Sequence, residues 1–175
     1  MDGYAGFAEY VAGHRAGLSR AAYLLTGDVH AAEDIVQDAL VTAASRWRRI
    51  REGGDPDPYV RRILYTRHID RWRRLRRTPG IPVGDLPEIE RAGDHADDAA
   101  RRLTLRIALM RLTPKQRAVL VLRYFEDLTE VETADILDCS VGTVKSQTRH
   151  ALERLRVLAP DILTTFSPSG DEVPR

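Results

Sequence analysis

Hydrophobic positions in the first part of the chain recur every three or four residues, which is the spacing of one face of an α-helix. One apolar face extends over residues 7–25 and ends before Gly27, a residue type that commonly stops a helix. A second apolar face extends over residues 35–47, and the opposite side of that segment is acidic. No stretch alternates apolar and polar residues as a half-buried strand would, so this part of the chain is predicted to be helical.

A third helix has a start signal of its own. Asp57 is the predicted N-cap, and Pro58 takes the first helical position, where its missing N–H costs nothing. This helix is predicted to continue through an arginine-rich stretch to about Arg77.

Helical spacing returns after residue 100. A helix is predicted over about 101–111, and the apolar run 118–122 is expected to be buried. Thr113 with Gln116, and Thr129 with Glu132, have the spacing of capping boxes that begin two further helices.

The last two helices are predicted to meet at a tight turn. The first of them should end near Leu137, and Asp138 follows where such a turn often needs a left-handed residue. Ser140 is the predicted N-cap of the final helix, which continues to about Leu158. A short helix, a tight turn and a longer helix form the helix-turn-helix plan.

The two helical parts are separated by residues 78–100, which hold three prolines and three glycines and lack helical spacing. Such a composition is typical of an extended linker. We therefore predict an all-α fold of two small helical domains joined by a flexible acidic linker, the C-terminal one a helix-turn-helix. The predicted boundaries are 1–77, 78–100 and 101–158, with a tail over 159–175.

Charge is segregated along the chain, although the formal net charge is only +1. Residues 46–77 contain twelve arginines against four acids, whereas residues 78–100 contain six acids against one arginine. A basic block beside an acidic connector indicates a surface for a polyanion.

Composition argues against several classes of protein. Apolar residues make up 43 % of the 175, enough for compact cores, and no apolar run approaches the roughly 20 residues that span a bilayer. We predict no signal peptide, and the single cysteine, Cys139, suits a reducing cytoplasm. The five histidines have no cysteine at ligand spacing, so we predict no metal site, no cofactor and no catalytic residues.

The predicted recognition surface lies at the start of the last helix, because recognition helices contact base edges with their first turns. The candidates there are Thr143, Lys145, Ser146 and Arg149. The alternative interpretation is a solvated basic face on an ordinary helical bundle.

The arginines of the third helix point all round it, so one salt-bridge network cannot use them all, and phosphate neutralisation is the natural use of such density. Tyr65, Ile69 and Trp72 recur between them at helical spacing and could stack on unpaired bases. Core packing is the alternative for Ile69 and Trp72.

Two segments of the second helical part closely resemble a known family. Residues 117–130, RAVLVLRYFEDLTE, followed by residues 140–146, SVGTVKS, resemble the C-terminal domain of the extracytoplasmic-function (group IV) sigma factors. In that family this domain binds the upstream, minus-thirty-five promoter element, and the resemblance gives that role to the four candidates of the last helix.

The resemblance extends to the first helical part. Residues 32–40, AEDIVQDAL, resemble the segment that binds core RNA polymerase, and residues 59–64 open the helix that reads the minus-ten element. Residues 23–28, YLLTGD, are similar to an actinobacterial SigE-like subgroup.

The resemblance implies partners and residues. Asp34, Gln37 and Asp38 would face the clamp helices of the polymerase beta-prime subunit, and the beta flap is a second expected contact; a solvated acidic face is the alternative. The expected minus-ten residues are Arg61, Arg62, Tyr65, Thr66, Arg67, Arg71, Trp72, Arg73, Arg74 and Arg77.

Two positions depart from the family pattern. Thr66 stands where many relatives carry asparagine, which bears on the base contacts of the minus-ten helix. Asp138 replaces a common glycine in the turn, at a small expected cost in stability. The acidic linker either threads through polymerase channels, as in relatives, or serves as a solvated tether. An anti-sigma factor is a common partner of relatives.

The sequence therefore predicts a cytoplasmic sigma factor that is not an enzyme and does not insert into membranes. One alternative is a freestanding regulator that binds DNA alone, but no heptad seam or effector-like segment is present. The other is a nucleic-acid enzyme, which would need a metal cluster or a carboxylate site on a supporting scaffold.

Overall fold

The structure, a computed structural model, describes residues 4–77 and 98–160, with side chains over 4–74 and 102–160. Within these ranges the chain is helical and contains no strand. The elements are α1 Phe7–Thr26, α2 Val29–Ser45, α3 Trp47–Glu52, α4 Asp57–Arg77, α5 Asp98–Met110, α6 Pro114–Leu120, a π-helical segment Val121–Phe125, α7 Glu130–Leu137 and α8 Val141–Leu158. The predictions for residues 78–97, for the side chain of Arg77 and for the tail from residue 161 lie outside what is described.

The junction of α1 and α2 is set by local signals. Gly27 follows α1 with a φ of 69°, and its N–H donates to the carbonyl of Tyr23, as in a helix stop with a left-handed residue. Asp28 then caps α2, because its carboxylate accepts the N–H of Ala31 at 2.7 Å. The predicted stop at Gly27 is confirmed.

The second apolar face, predicted as one helix through Trp47, is divided in the structure. Helix α2 ends at Ser45, and Trp47 begins the short helix α3. The indole of Trp47 is 2 % exposed, its N–H donates to the carbonyl of Ala5 at 2.9 Å, and its ring meets Phe7 edge-on. The break turns Trp47 into the core beneath the start of α1.

The predicted cap of α4 was wrong. Asp57 is the first helical residue, and its own N–H donates to the carboxylate of Asp55 at 3.0 Å. The Asp57 carboxylate is used elsewhere: it accepts the hydroxyl proton of Tyr10 at 3.0 Å and the Nε–H of Arg61 at 2.6 Å. A contact 47 residues away in sequence has thus taken the group that local spacing assigned to the cap.

The start signals of the second domain, helices α5–α8, are confirmed. The side chains of Thr113 and Thr129 each accept the backbone N–H three residues on. The side chains of Gln116 and Glu132 in turn accept the backbone N–H of Thr113 and Thr129, which completes both capping boxes. The hydroxyl of Ser140 accepts the N–H of Thr143 at the start of α8.

The turn between α7 and α8 is built as predicted. Asp138 takes the left-handed conformation there with a φ of 53°. Helix α7 ends at Leu137 and α8 at Leu158, both at the predicted residues.

The sequence did not reveal that α6 changes pitch. From Val121 the backbone continues as a π-helical segment, in which the N–H of Glu126 reaches back five residues to the carbonyl of Val121. Asp127, with a φ of 53°, then reverses the chain, and the guanidinium of Arg123 donates to the carbonyl of Leu128 at 2.6 Å. The π-helical segment and the left-handed Asp127 thus form the connection between α6 and α7.

The two domains pack on each other. The main buried cluster contains Leu25 and Leu64 of the first domain, helices α1–α4, together with Val121, Leu122 and Ile136 of the second. The linker composition alone indicated two tethered units, and the packing follows instead from apolar residues on both that bury one another.

Arginines of the second domain form hydrogen bonds with the C-terminal end of α1. Arg106 donates to the carbonyl of Gly27 at 3.3 Å, and the buried guanidinium of Arg117 donates to the carbonyl of Leu25. Cations are favourable at a helix C-terminus, where unpaired carbonyls carry partial negative charge.

Candidate nucleic-acid interface

The start of α8 presents the predicted recognition residues on one exposed surface. Thr143, Lys145 and Arg149 are exposed, and Ser146 is half-buried with its hydroxyl donating to the carbonyl of Thr143 at 3.0 Å. Val144, fully buried on the opposite side, anchors this turn against the domain core. The structure therefore brings all four predicted residues together, as the helical spacing indicated.

The two cations of this surface make weak contacts within the protein. Lys145 lies 3.5 Å from a carboxylate oxygen of Glu130 in α7, and Arg149 lies 4.0 Å from Glu153 in α8. The side chains of Lys145 and Arg149 are 64 % and 69 % exposed. Ion pairs with that much solvent around them contribute little, so both cations can exchange their partners for DNA.

Helix α4 presents some of its predicted residues and buries others. Arg62, Thr66, Arg71, Arg73 and Arg74 are exposed, whereas Arg61, Arg67, Ile69 and Trp72 are half-buried. The exposed set leaves a basic surface on α4.

Tyr65 departs from its predicted role in base contact. It is 1 % exposed, lies in the cluster to which both domains contribute, and its hydroxyl has no hydrogen-bond partner. Burial raises the pKa of this phenol well above its usual range, so the ring stays neutral. In this arrangement Tyr65 is a core residue and cannot stack on a base.

Several arginines of α4 have acidic or hydroxyl partners nearby. Arg71 lies 3.5 Å from Asp34 of α2, and Arg73 lies 3.6 Å from Asp70. Arg67 donates to the hydroxyl of Thr42 at 3.4 Å.

The acidic side of α2 is exposed as predicted. Asp34, Gln37 and Asp38 all face solvent, and Val41, one turn on, is 69 % exposed. Beside them a groove of about 380 Å³ runs between α1 and α2, with Val11 and Leu40 among its walls. Exposed carboxylates beside apolar side chains are suited to contact with a basic protein surface.

The sequence did not indicate that Arg117 and His68 are buried. Arg117 is 7 % exposed and donates to the carbonyls of Leu109, Met110 and Leu112 as well as to α1. Burial lowers its pKa to about 10, so it stays charged at neutral pH. His68 of α4 is 4 % exposed, with no hydrogen-bond partner at Nε2.

Burial, and secondarily the charge of Arg117, lower the pKa of His68 to about 3. No spacing rule distinguishes these two residues from the exposed cations around them.

Among the residues with described positions, no three histidine, cysteine or acidic side chains converge as a metal site. None of the described helices is long and apolar enough to cross a bilayer.

Comparison with family models matches both domains. The model "Sigma-70 region 2" matches residues 10–78, and "Sigma-70, region 4" matches residues 108–157. The first match covers the helices that carry the acidic side of α2 and the basic side of α4, and the second covers the helix-turn-helix.

Curated relatives match over most of their length. The RNA polymerase sigma-E factor of Streptomyces coelicolor is 39 % identical over 150 residues, which is 86 % of this chain and 84 % of that protein. The ECF RNA polymerase sigma factor SigL of Mycobacterium tuberculosis is 32 % identical over 158 residues, 87 % of this chain and 88 % of that protein. This chain belongs to the extracytoplasmic-function sigma factors. Its function is that of the family, promoter-specific initiation of transcription.

Solved structures share the fold across both domains. The sigma factor RpoE from Bartonella quintana, in complex with the anti-sigma factor NepR, aligns with a TM-score of 0.68 at 24 % identity, covering 89 % of this chain and 97 % of that one. CnrH, in complex with the cytosolic domain of CnrY, aligns with a TM-score of 0.60 at 23 % identity, covering 88 % and 87 %.

Proposed function

We propose that α8 reads the minus-thirty-five element, that α4 contacts the minus-ten element, and that the acidic side of α2 binds core polymerase. The observation that carries the proposal is the exposed surface of Thr143, Lys145, Ser146 and Arg149 at the capped start of α8. On α4 the exposed arginines and Thr66 are the proposed minus-ten contacts. The proposed domain boundaries are those of the sequence analysis, 1–77 and 101–158.

Within this proposal the chain supplies promoter choice and the polymerase supplies catalysis, in the cytoplasm where both meet DNA. An anti-sigma factor is a further proposed partner. It is supported by a cleft of about 1040 Å³ between the domains, which has Arg46 and Arg49 on one wall and Glu132 and Asp135 on the other. A partner in this cleft would touch both domains at once.

The purified chain is expected to convert core polymerase into a holoenzyme that initiates at discrete promoters. The measurement is in vitro transcription on a genomic library with the start sites mapped, and core polymerase alone is the control. If the chain instead binds specific DNA tightly by itself and never associates with core polymerase, the freestanding-regulator alternative replaces this proposal.

Reversing charge on the acidic side of α2 is expected to weaken polymerase binding without unfolding the chain. Asp34→Arg with Asp38→Arg changes two exposed carboxylates into cations that would repel a basic partner surface. A pull-down with core polymerase measures the binding, and circular dichroism checks the helix content.

Two further variants sharpen that test. Asp34 lies near Arg71, so the single variant Asp38→Arg separates polymerase binding from the loss of that pair. Glu9→Arg places a similar reversal on the exposed side of α1, and we expect it to bind polymerase as the wild type does. If the double variant and the wild type pull down equal amounts of core polymerase, the acidic side of α2 is an ordinary solvated surface and does not bind polymerase.

The two DNA-reading helices are expected to respond differently to loss of an arginine. Arg149→Ala removes a cation from the first turns of α8, where a base contact is worth about 1–3 kcal/mol. Transcription should fall mainly through weaker upstream-element binding, and some changed upstream bases should suffer less. Arg73→Ala with Arg74→Ala should weaken binding to all promoters and reduce the slope of log affinity against log salt by about one per lost phosphate contact.

A matrix of promoter variants against both mutants, at two salt concentrations, makes this measurement. Arg156→Ala, at the far end of α8, is the matched control for Arg149→Ala. A uniform, salt-sensitive loss for Arg149→Ala, together with altered base preference for the α4 variant, would mean that readout and positioning are assigned to the wrong helices.

A further inference from the structure

An acidic side chain of α7 lies beside one of the DNA-reading cations of α8. The Glu130 carboxylate is 3.5 Å from the ammonium of Lys145, and the two side chains are 33 % and 64 % exposed. Glu130 stands in the first turn of α7, where the partial positive charge of a helix N-terminus favours an acid. The pair therefore links the two helices of the helix-turn-helix at the recognition surface.

Packing beneath the pair fixes the position of α7 against α8. Ala134 lies one turn after Glu130 in α7, and Val144 directly precedes Lys145 in α8. Ala134 and Val144 are 4 % and 0 % exposed and belong to one buried cluster with Val119 of α6. A rotation of either helix that moved the carboxylate away from the ammonium would disturb this closely packed cluster.

The second cation of the recognition surface has a different kind of partner. Arg149 lies 4.0 Å from Glu153, which is on the same helix, and the other carboxylate oxygen of Glu153 is 3.4 Å from Nδ1 of His150. The Glu153 side chain is 53 % exposed, so solvent competes for it. Lys145 is thus the cation whose partner is placed by another helix and is the less exposed of the two acids.

The Glu130 carboxylate changes what Lys145 offers to DNA. An ammonium has several N–H donors, so one can point at the carboxylate while the others remain for acceptors on DNA. Attraction to phosphates depends on charge and is the same for every sequence, and the adjacent carboxylate weakens it. Hydrogen bonds to base edges, such as O6 and N7 of guanine, depend on the donors and are kept. Lys145 beside Glu130 is therefore better suited to reading a base than to neutralising a phosphate.

We propose that Glu130 is a positioning residue that sets the selectivity of the upstream-element contact: it directs Lys145 toward base edges and weakens binding of this surface to DNA of other sequences. The inference rests on the proposed reading of the upstream element by α8. A carboxylate on a DNA-binding surface lowers the affinity for every sequence. Selectivity rises when that loss is larger for the wrong sequence, because selectivity is a ratio of two affinities.

The test uses the full chain bound to core polymerase and two duplexes from a mapped promoter, one intact and one with the base pairs of its upstream element exchanged. Glu130→Gln keeps the size of the side chain and removes its charge. We expect binding to tighten about fivefold for the exchanged duplex and about twofold for the intact one, so discrimination between them falls about two- to threefold. The slope of log affinity against log salt should steepen by about one on the exchanged duplex, because Lys145 then neutralises a phosphate. A merely structural role for Glu130 would instead weaken binding to both duplexes.

Asp127→Asn is the matched control. It removes the same charge from an exposed position in the connection before α7, where the backbone is left-handed, a conformation that asparagine also adopts. We expect wild-type discrimination and a wild-type salt slope. If Asp127→Asn lowers discrimination as much as Glu130→Gln does, the cause is the overall charge of the domain, and the proposal is overturned.

Lys145→Gln tests whether Glu130 acts through the cation. In a chain that already carries Lys145→Gln, adding Glu130→Gln should leave discrimination and the salt slope unchanged, because the group that Glu130 positions is gone. If the Glu130→Gln effects persist there, the carboxylate repels phosphates directly and the positioning role is wrong.

The wild-type result separates this inference from the one on which it rests. If the wild type discriminates between the duplexes and Glu130→Gln discriminates equally well, the pair has no part in selectivity and only the present proposal fails. If the wild type does not distinguish the duplexes, the assignment of α8 to the upstream element fails, and the role of Glu130 fails with it.

Discussion

Replacing Arg117 with methionine is expected to lower the free energy of unfolding by about 3 kcal/mol, because buried backbone carbonyls lose a charged donor. The guanidinium fills a position surrounded by backbone carbonyls. It donates to Leu109, Met110 and Leu112 around the end of α5 and to Leu25 at the end of α1. Methionine fills similar space but removes the guanidinium from the carbonyls of Leu25, Met110 and Leu112, whereas Leu109 also accepts the N–H of Leu112. Each buried acceptor that is left unpaired costs about 1–3 kcal/mol. Urea denaturation followed by circular dichroism measures the loss.

Two variants separate the causes of that loss. Arg117→Lys keeps the charge but has a single ammonium in place of the planar fork, so an intermediate loss is expected. Lys115→Met makes the same kind of change at an exposed position two residues earlier and should leave the urea midpoint unchanged. If the Arg117→Met chain and the wild type have the same urea midpoint, then solvent already donates hydrogen bonds to those carbonyls.

Lowering the pH from 7 to 5 is expected to destabilise the chain by about 2 kcal/mol through His68, at about 1.4 kcal/mol for each pKa unit. The pKa of His68 is about 3 in the folded chain and about 6.5 when unfolded, because burial and then the charge of Arg117 oppose protonation. Between these values the unfolded chain binds the extra proton. Stability is therefore fully present above pH 6.5 and is lost progressively as the pH falls toward 3.

The measurement compares urea midpoints at pH 7 and pH 5 in matched variants. His68→Leu should have a smaller difference between the two pH values than the wild type has, because the buried titrating group is gone. His150→Gln, which changes a half-exposed histidine of α8, should keep the wild-type difference. A His68→Leu chain with the full wild-type pH dependence would assign the acid sensitivity to other groups.

Local signals carried the sequence predictions that succeeded. Thr113, Thr129 and Ser140 bind amides within three residues, and Gly27 stops α1 through its own backbone, so the neighbouring sequence determines these contacts. The exposure of Thr143, Lys145 and Arg149 at the start of α8 was predictable for the same reason. A capped helix start and a period of 3.6 residues together decide which of its side chains face outward.

The features that the sequence did not reveal depend on distant parts of the chain. Asp57 has a good capping position, yet Tyr10 and Arg61 take its carboxylate. Tyr65 is spaced like the other side chains of α4, but it lies in a buried cluster to which distant helices of both domains contribute. Arg117 lies within a run of ordinary α-helical sequence, and its burial results from carbonyls of two separate helix ends converging on it.

The hydrogen bonds between the second domain and the end of α1 have side-chain donors and main-chain acceptors, and this affects how the protein can diverge. Arg106 and Arg117 donate from side chains, whereas Gly27 and Leu25 accept through main-chain carbonyls that any amino acid would provide. The acceptor side is nevertheless constrained in other ways, because Gly27 takes the left-handed conformation with Met110 packed against it and Leu25 is fully buried. Comparison of diverged descendants should therefore find both sides of this contact constant, the arginines for their donors, Gly27 for its backbone and Leu25 for its packing.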